Sequence, residues 1–393
     1  MEYSIYLHIP FCRHRCHYCD FNTFAGMERY IPEYIDALIK EFRIVINQKP
    51  NLKINSIYFG GGTPSLIPSQ LYKALFSELK QLVSLSNDCE ISLEANPGTL
   101  DLPYLAKLRE IGFNRISLGA QSTDTFDLVR LDRIHSIEDI LSSVQNARKA
   151  GFDNINLDMI FGLPWQDLES WENSLHHAIT IKPEHFSLYS LIIEPGTPLF
   201  SWYQRGLIAP QDQDREADMY ELAMDLLEKA GYKHYEISNW ALKDPDTDYR
   251  CRHNQQYWLN QPYFGFGAGA HGYVNQIRSV NTSLIPEYIQ RVNLAENKDC
   301  DYPCSPSTVS AEIIDKSTQM RDFMMLGLRL VGEGVCSKRF EERYGQSMQE
   351  VFDREINKLL SQGLVEWWND DETCLRLSKR GIMVANQVFI EFV

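Results

Sequence analysis

No run of lysines and arginines occurs in this sequence, and none of its apolar stretches reaches the about 18 residues that a membrane-crossing helix needs. With 53 acidic against 38 basic residues the formal net charge is −15, a balance that repels a phosphate backbone and argues against nucleic acid as a partner. Also missing are an internal repeat, a low-complexity tract and an amino-terminal basic segment followed by an apolar run. The expectation is a cytoplasmic protein without a transmembrane segment, meeting a membrane only through a partner. Nine cysteines make an odd count in a long chain with no export signal, which points to a reducing compartment rather than a disulfide framework. Cys89, Cys251, Cys336 and Cys374 are scattered and read as structural thiols. Cys300 and Cys304 repeat a C-x3-C spacing with no third thiol nearby, which reads as chance.

The 393 residues, 44% hydrophobic and 12% aromatic, suffice for a large barrel with an appendage or for two domains. Short apolar runs predict strands over Ile5–Ile9, Ile54–Phe59, Glu90–Glu94, Arg115–Leu118, Asn154–Ile160 and His185–Ile192. Helical periodicity predicts helices over Tyr30–Ile46, Gln70–Val83, Leu102–Ile111, Ile137–Ala150 and Leu168–Ile181. Repeated strand-then-helix units imply parallel strands joined by right-handed crossovers. The expected fold class is therefore α/β, a partial parallel (β/α)6 barrel, with a carboxyl-terminal, mostly helical, winged-helix-like domain. Residues 1–200 are assigned to the barrel, 201–305 to a connecting region, and 306–393 to the terminal domain. In the last of these, helical segments precede two short strands, Gly363–Glu366 and Leu375–Leu377, that make a hairpin.

Parallel barrels carry their sites at the carboxyl ends of strands, and the distinctive segments fall there. After the first strand come Cys12, Cys16 and Cys19, spaced C-x3-C-x2-C. Thiolates so grouped suit an iron–sulfur cluster, and three ligands for four irons leave one iron open. The alternatives are three unrelated thiols or half of a zinc site, the latter needing a second pair at similar spacing. After the second strand comes Gly60–Pro64, a glycine run that admits close backbone approach to a ligand or makes a plain tight turn. Glu94, Gln121, Arg133 and Asp158 lie on successive units. Singly each reads as a surface or ion-paired residue, and together they read as a cradle for an amino acid–nucleoside ligand.

The triad, the Gly-Gly-Gly-Thr-Pro run and Leu118–Ser122, extended by Arg133–Ser136 and Asp158–Pro164, resemble the radical S-adenosylmethionine (SAM) superfamily. Within it the chain resembles the group of oxygen-independent coproporphyrinogen III oxidase. That resemblance implies a 4Fe–4S cluster on Cys12, Cys16 and Cys19, whose open iron chelates SAM. It also implies Tyr6 and Tyr18 beside the adenosyl part, Gly61, Gly62 and Thr63 along the methionine end, Glu94 and Arg133 on its ammonium and carboxylate, and Gln121 and Asp158 on the ribose. The decarboxylating enzymes read C-x3-C-x2-C-x-C and carry an amino-terminal arm, whereas Phe21 stands at the last position here and Cys12 follows almost at once. The segment Arg252–Trp258 contains H-N-x-x-Y-W, which resembles the mark of the haem-chaperone branch. There His253 is implied to hold haem, an imidazole being a standard axial ligand. By its residues alone, His253 is a satisfied loop histidine. His271 reads as structural or cofactor-pocket, and His176 and His177 as surface residues. The branch implies haem binding and delivery to an acceptor haemoprotein such as a respiratory cytochrome, with a homodimer also in view. The alternative is a radical enzyme that oxidatively decarboxylates coproporphyrinogen III.

Overall fold

The computed structural model describes residues 2–210, 212–296, 300–368 and 373–393. Six parallel strands form the expected partial barrel: β1 (Tyr3–Ile9), β2 (Lys53–Gly61), β3 (Ser84–Ala95), β4 (Arg115–Gln121), β5 (Ile155–Phe161) and β6 (His185–Ser190), each paired with the next. Between them stand helices Ile31–Ile46, Ser69–Leu82, Leu102–Ile111, Ile137–Lys149 and Leu168–Thr180. Their starts follow from sequence chemistry. Asp101, Ser136 and Asp167 each accept a backbone N–H of the first turn, the last two in reciprocal capping boxes.

Strand alternation decides what faces where. Ile5, Leu7, Ile57, Phe59, Ile91, Leu93, Ile116, Leu118, Ile155, Leu157, Phe186 and Leu188 belong to the apolar cluster beneath the helices. The intervening positions, among them Tyr58, Glu94, Arg115, Ser117, Asn156, Asp158 and Ser187, line the lumen. The barrel is thus oily outside its strands and polar within.

Residues 201–305, expected as a connecting region, supply strands to the same sheet. One edge gains β7 (Tyr232–Glu236) and β8 (Asn239–Leu242), β8 pairing antiparallel with β6. The other gains β9 (Tyr263–Phe266), parallel to β1, then β10 (His271–Val274) and β11 (Ile277–Asn281), followed by β12 (Thr308–Ile313). The strand order is β12-β11-β10-β9-β1-β2-β3-β4-β5-β6-β8-β7. Buried Glu41 clasps this extension to helix Ile31–Ile46. It accepts hydrogen bonds from Ser305, Ser307, Asn281, Tyr288 and the Gly267 N–H at 2.6–2.9 Å.

A second apolar cluster, from Met320 to Phe392, forms the carboxyl-terminal domain. It contains helices Lys316–Gly327, Ser337–Tyr344 and Asp353–Ser361, and the hairpin strands Val365–Trp368 and Cys374–Leu377. A third short strand, Val335–Cys336, pairs with Cys374–Leu377 and places Cys336 opposite Cys374, and the two form a disulfide. This corrects the reading of both as separate thiols, because strand register, invisible in a 38-residue separation, brings them together. No helix among the described residues is long and apolar enough to cross a membrane.

Candidate functional site

A cavity of about 440 Å³ opens at the carboxyl ends of the barrel strands. Cys12, Cys16, Tyr18, Cys19, Gly61, Gly62, Thr63, Glu94, Gln121, Arg133 and Asp158, all expected from the sequence, line it. Tyr6 stands one layer down, bonded through its hydroxyl to His8 Nδ1 at 3.0 Å. His253 is not among the lining residues.

The cysteine loop is shaped by backbone contacts. Phe11–Cys12 pairs with Phe24–Ala25, and the Cys19 N–H reaches the Cys16 carbonyl at 3.2 Å, so the chain leaves and returns over one short strand. Cys12 Sγ lies 3.5 Å from Thr63 Oγ1, Cys16 Sγ accepts from Arg133 at 3.4 Å, and Cys19 Sγ is 3.9 Å from Thr23 Oγ1. Burial raises the Cys12 thiol pKa, with the Thr63 hydroxyl opposing and the charges of Cys19 and Cys16 adding. Burial also raises that of Cys16, against the Arg133 guanidinium. The three thiols therefore share one electrostatic environment. Among the described residues no three His, Cys, Asp or Glu side chains are grouped to hold a single metal ion.

The glycine run is a cradle in the steric sense. Gly61 has φ +113°, and a Cβ there would meet His8 Cε1 at 2.4 Å, while one on Gly62 would meet the Phe11 carbonyl oxygen at 2.5 Å. The Gly62 and Thr63 N–H groups donate to the carbonyls of Ile9 and Phe11 at 2.8 and 2.7 Å, stitching the run to the cysteine loop. Glu94 accepts from the Gly61 N–H at 3.0 Å and from Tyr58 at 2.9 Å. Burial, with the charge of Asp158 next, pushes Glu94 up to about 7. Asp158 accepts from Ser117 at 3.0 Å and Asn156 at 2.7 Å, which oppose a rise caused by burial.

Arg133 donates to Asn96 Oδ1 at 2.6 Å and the Gly119 carbonyl at 2.8 Å, and its buried Nε has no partner among the described residues. Asn96 also donates to Thr63 at 3.0 Å. It follows the end of β3, and the structure shows it tying Arg133 to the glycine run. Gln121 ends β4 at φ +66°, a conformation that a non-glycine residue adopts at a cost and that aims it across the mouth.

His253 sits elsewhere than expected. It is 1% exposed on helix Arg252–Trp258, and its ring fills the inside of the barrel. Nδ1 pairs with Ser56 Oγ at 3.0 Å and Nε2 with the Tyr257 hydroxyl at 2.8 Å, while the ring stacks on Tyr58 at 5.1 Å. Both ring nitrogens are hydrogen-bonded in this conformation. His271 is exposed at the start of β10, and His176 is exposed beside Glu172.

The family model described as "Radical SAM superfamily" matches residues 6–178, and "HemN C-terminal domain" matches 314–384. Fold and site together define a radical SAM protein. The chain is 37% identical over 391 residues, 99% of each chain, to "Heme chaperone HemW" of Bacillus subtilis, and 35% identical over 390 residues to that of Lactococcus lactis, covering 99% of this chain and 97% of the other. It is 32% identical over 404 residues to "Radical S-adenosyl methionine domain-containing protein 1, mitochondrial" of mouse, covering 98% of this chain and 86% of the other. The chain belongs to the HemW family. Among solved structures, Escherichia coli coproporphyrinogen III oxidase (HemN) shares the fold at a TM-score of 0.83 and 22% identity, over 100% of this chain and 90% of that one.

Proposed function

We propose that this protein is a haem chaperone that binds haem and passes it to acceptor haemoproteins, on a scaffold that carries a 4Fe–4S cluster and SAM. The observation that carries the reading is the collinear match, over 99% of both chains, to a curated HemW. The acceptor is a haemoprotein such as a respiratory cytochrome, the working compartment is the cytoplasm, and the protein acts as a homodimer.

The residues present fit both cofactors. Cys12, Cys16 and Cys19 are soft donors on one loop facing the cavity, the donor type that iron–sulfur clusters take. Arg133 Nε is buried and unpartnered, as befits a group awaiting a carboxylate. Gly61 and Gly62 let the run pack against His8 and the Phe11 carbonyl, where a Cβ would clash, and so hold the run beside the cysteine loop. When bound, the cluster supplies an open iron that chelates an amino acid's amino and carboxylate groups. Arg133 would pair with the carboxylate, Glu94 would accept a hydrogen bond from the amino group, Asp158 and Gln121 would hold the ribose hydroxyls, and Tyr18 would wall the adenosyl side.

Haem fits the cavity rim better than the interior. Phe21, 62% exposed where the oxidases have a cysteine, and Ile192, 67% exposed, line the cavity and put apolar surface at its mouth. Exposed apolar patches of this kind mark interaction sites, and a flat aromatic face suits a porphyrin. The test is haemin titration followed by transfer to an apo-acceptor, with and without the reconstituted cluster. Saturable 1:1 binding and transfer are expected, and absence of saturable binding would refute the reading. Coproporphyrinogen III incubated anaerobically with the reduced protein and SAM is expected to remain unchanged. Formation of decarboxylated product with 5'-deoxyadenosine would establish the enzyme instead.

A further inference from the structure

Arg115 begins β4 and is 2% exposed, yet it lines the same cavity. It sits six residues, about 20 Å of strand, before Gln121 at the barrel mouth. Its Nε has no hydrogen-bond partner among the described residues. The β3 residue paired with it in register, Ser92, is 0% exposed, and its hydroxyl is likewise unpartnered. Both face inward, since Ile91, Leu93, Ile116 and Leu118 occupy the outward positions.

Burial opposes the Arg115 charge while Cys251, Glu90, Tyr58 and Tyr235 raise its pKa, yet its Nε–H meets no acceptor among the described residues. Three carboxylates feel this charge, and each is committed elsewhere. Glu90 accepts from the Arg252 and His253 N–H groups at 3.1 and 3.3 Å and from Cys251 Sγ at 3.6 Å. Glu94 is held by Tyr58 and Gly61, and Asp158 by Ser117 and Asn156. A buried guanidinium left with an idle Nε–H is costly, and an unsatisfied buried group in a folded protein calls for a ligand or ordered water.

We propose that Arg115 and Ser92 form the floor of a receptor for one carboxylate group of a small ligand, lodged in the barrel lumen beneath the SAM seat. The planar guanidinium fork matches a carboxylate in two parallel hydrogen bonds, and the Ser92 hydroxyl adds a third donor. Glu90, Glu94 and Asp158 limit the tolerated charge to one, which disfavours a phosphate dianion. Asn156, Ser187 and Asn254 line the lumen above and hydrogen-bond the rest of the ligand.

Calorimetric titration of the full chain with sodium propionate, propionamide and inorganic phosphate at fixed ionic strength tests this. Propionate is expected to bind saturably at one site, with propionamide and phosphate at least tenfold weaker. Arg115→Met is expected to weaken propionate at least tenfold and Arg115→Lys less. Ser92→Ala, which removes one hydroxyl and keeps the test decisive where Arg115→Met does not fold, is expected to weaken it at least threefold. Equal affinity for acid and amide, tighter binding of phosphate, undiminished binding by the folded variants, or no saturable binding, with ordered water alone on Arg115, would each overturn the proposal.

Discussion

Replacing His253 by glutamine separates a residue that serves the fold from one that serves the cargo. The imidazole bridges Ser56 and Tyr257 inside the barrel, and an amide cannot meet both from the same backbone position. Ser56 keeps a second partner in Ser4 at 2.6 Å, whereas the Tyr257 hydroxyl is stranded. Two lost bonds at about 1 kcal/mol each, plus the cost of a buried unpaired hydroxyl, give a loss of about 2–4 kcal/mol. Burial, with the Arg115 charge second, holds the His253 pKa down to about 3, against an ordinary value of 6.5. The unfolded chain therefore binds a proton below pH 6.5 that the native protein refuses. The contribution of this group to stability is complete above pH 6.5 and is lost as pH falls from 6.5 towards 3. The variant lacks that liability, so the stability gap between wild type and His253→Gln narrows by about 1 kcal/mol per pH unit between pH 6 and 5. Urea denaturation at pH 7.5, 6 and 5 measures the gap, and haemin titration of the folded variant is expected to give a dissociation constant within twofold of wild type. A gap that ignores pH, or a variant equally stable at pH 7.5 that no longer shows the haem absorption band, would refute the reasoning.

At the cavity rim, Phe21→Ser is expected to weaken haemin binding about tenfold, the order expected when about 1.5 kcal/mol of apolar burial is lost, read by the same titration with the cluster content unchanged. Arg133→Lys removes the fork held by Asn96 and Gly119, and is expected to weaken SAM at least tenfold by calorimetry. In wild type, SAM affinity is expected to fall as pH drops below about 7, where Glu94 takes up a proton and accepts less strongly from the ligand's amino group. Gly62→Ala places a Cβ against the Phe11 carbonyl and is expected to lower the iron and sulfide retained after reconstitution to below half. Glu41→Gln turns an amide towards five donors and is expected to cost about 2–4 kcal/mol in urea denaturation, since every one of those donors lies in or beside the β9–β12 extension.

The barrel was legible because its outward strand positions are apolar and its helices keep a 3.6-residue period. The six strands and five helices fall within a few residues of the expected spans, except that β3 begins six residues early, at Ser84. The polar ladder inside went unread, because Ser92, Arg115 and Ser117 look like ordinary interruptions until alternation shows which face they share. Residues 232–281 resisted for a different reason. Their strands are four or five residues long, too short for a periodic signal, and β9 pairs with a strand more than 250 residues earlier. Of the site residues that the family resemblance implied, all but Tyr6 and His253 line one cavity. Arg115 was missed because a lone arginine at a strand start carries no local sign of burial. The Cys336–Cys374 pair was missed because only strand register reveals it.

His253 shows how a motif can be found correctly and its geometry still lie elsewhere. The helix Arg252–Trp258 begins over Glu90, which takes the backbone N–H groups of its first two residues, and drives His253 into the barrel floor against Ser56 and Tyr58. At its other end the Arg329 guanidinium stands 4.3 Å over the Trp258 ring. Arg329 belongs to the carboxyl-terminal domain, and its carbonyl accepts the Ile237 N–H at 3.1 Å, just past β7. One two-turn helix therefore couples the inside of the barrel to the second domain, with the imidazole at one end and the indole at the other. Tyr58 touches both Glu94 and His253, so the lumen wall and this helix are packed through one shared side chain. The histidine motif and the cysteine loop then report on opposite ends of the same cavity. The loop lines the mouth, and the motif's helix ties the floor to the carboxyl-terminal domain.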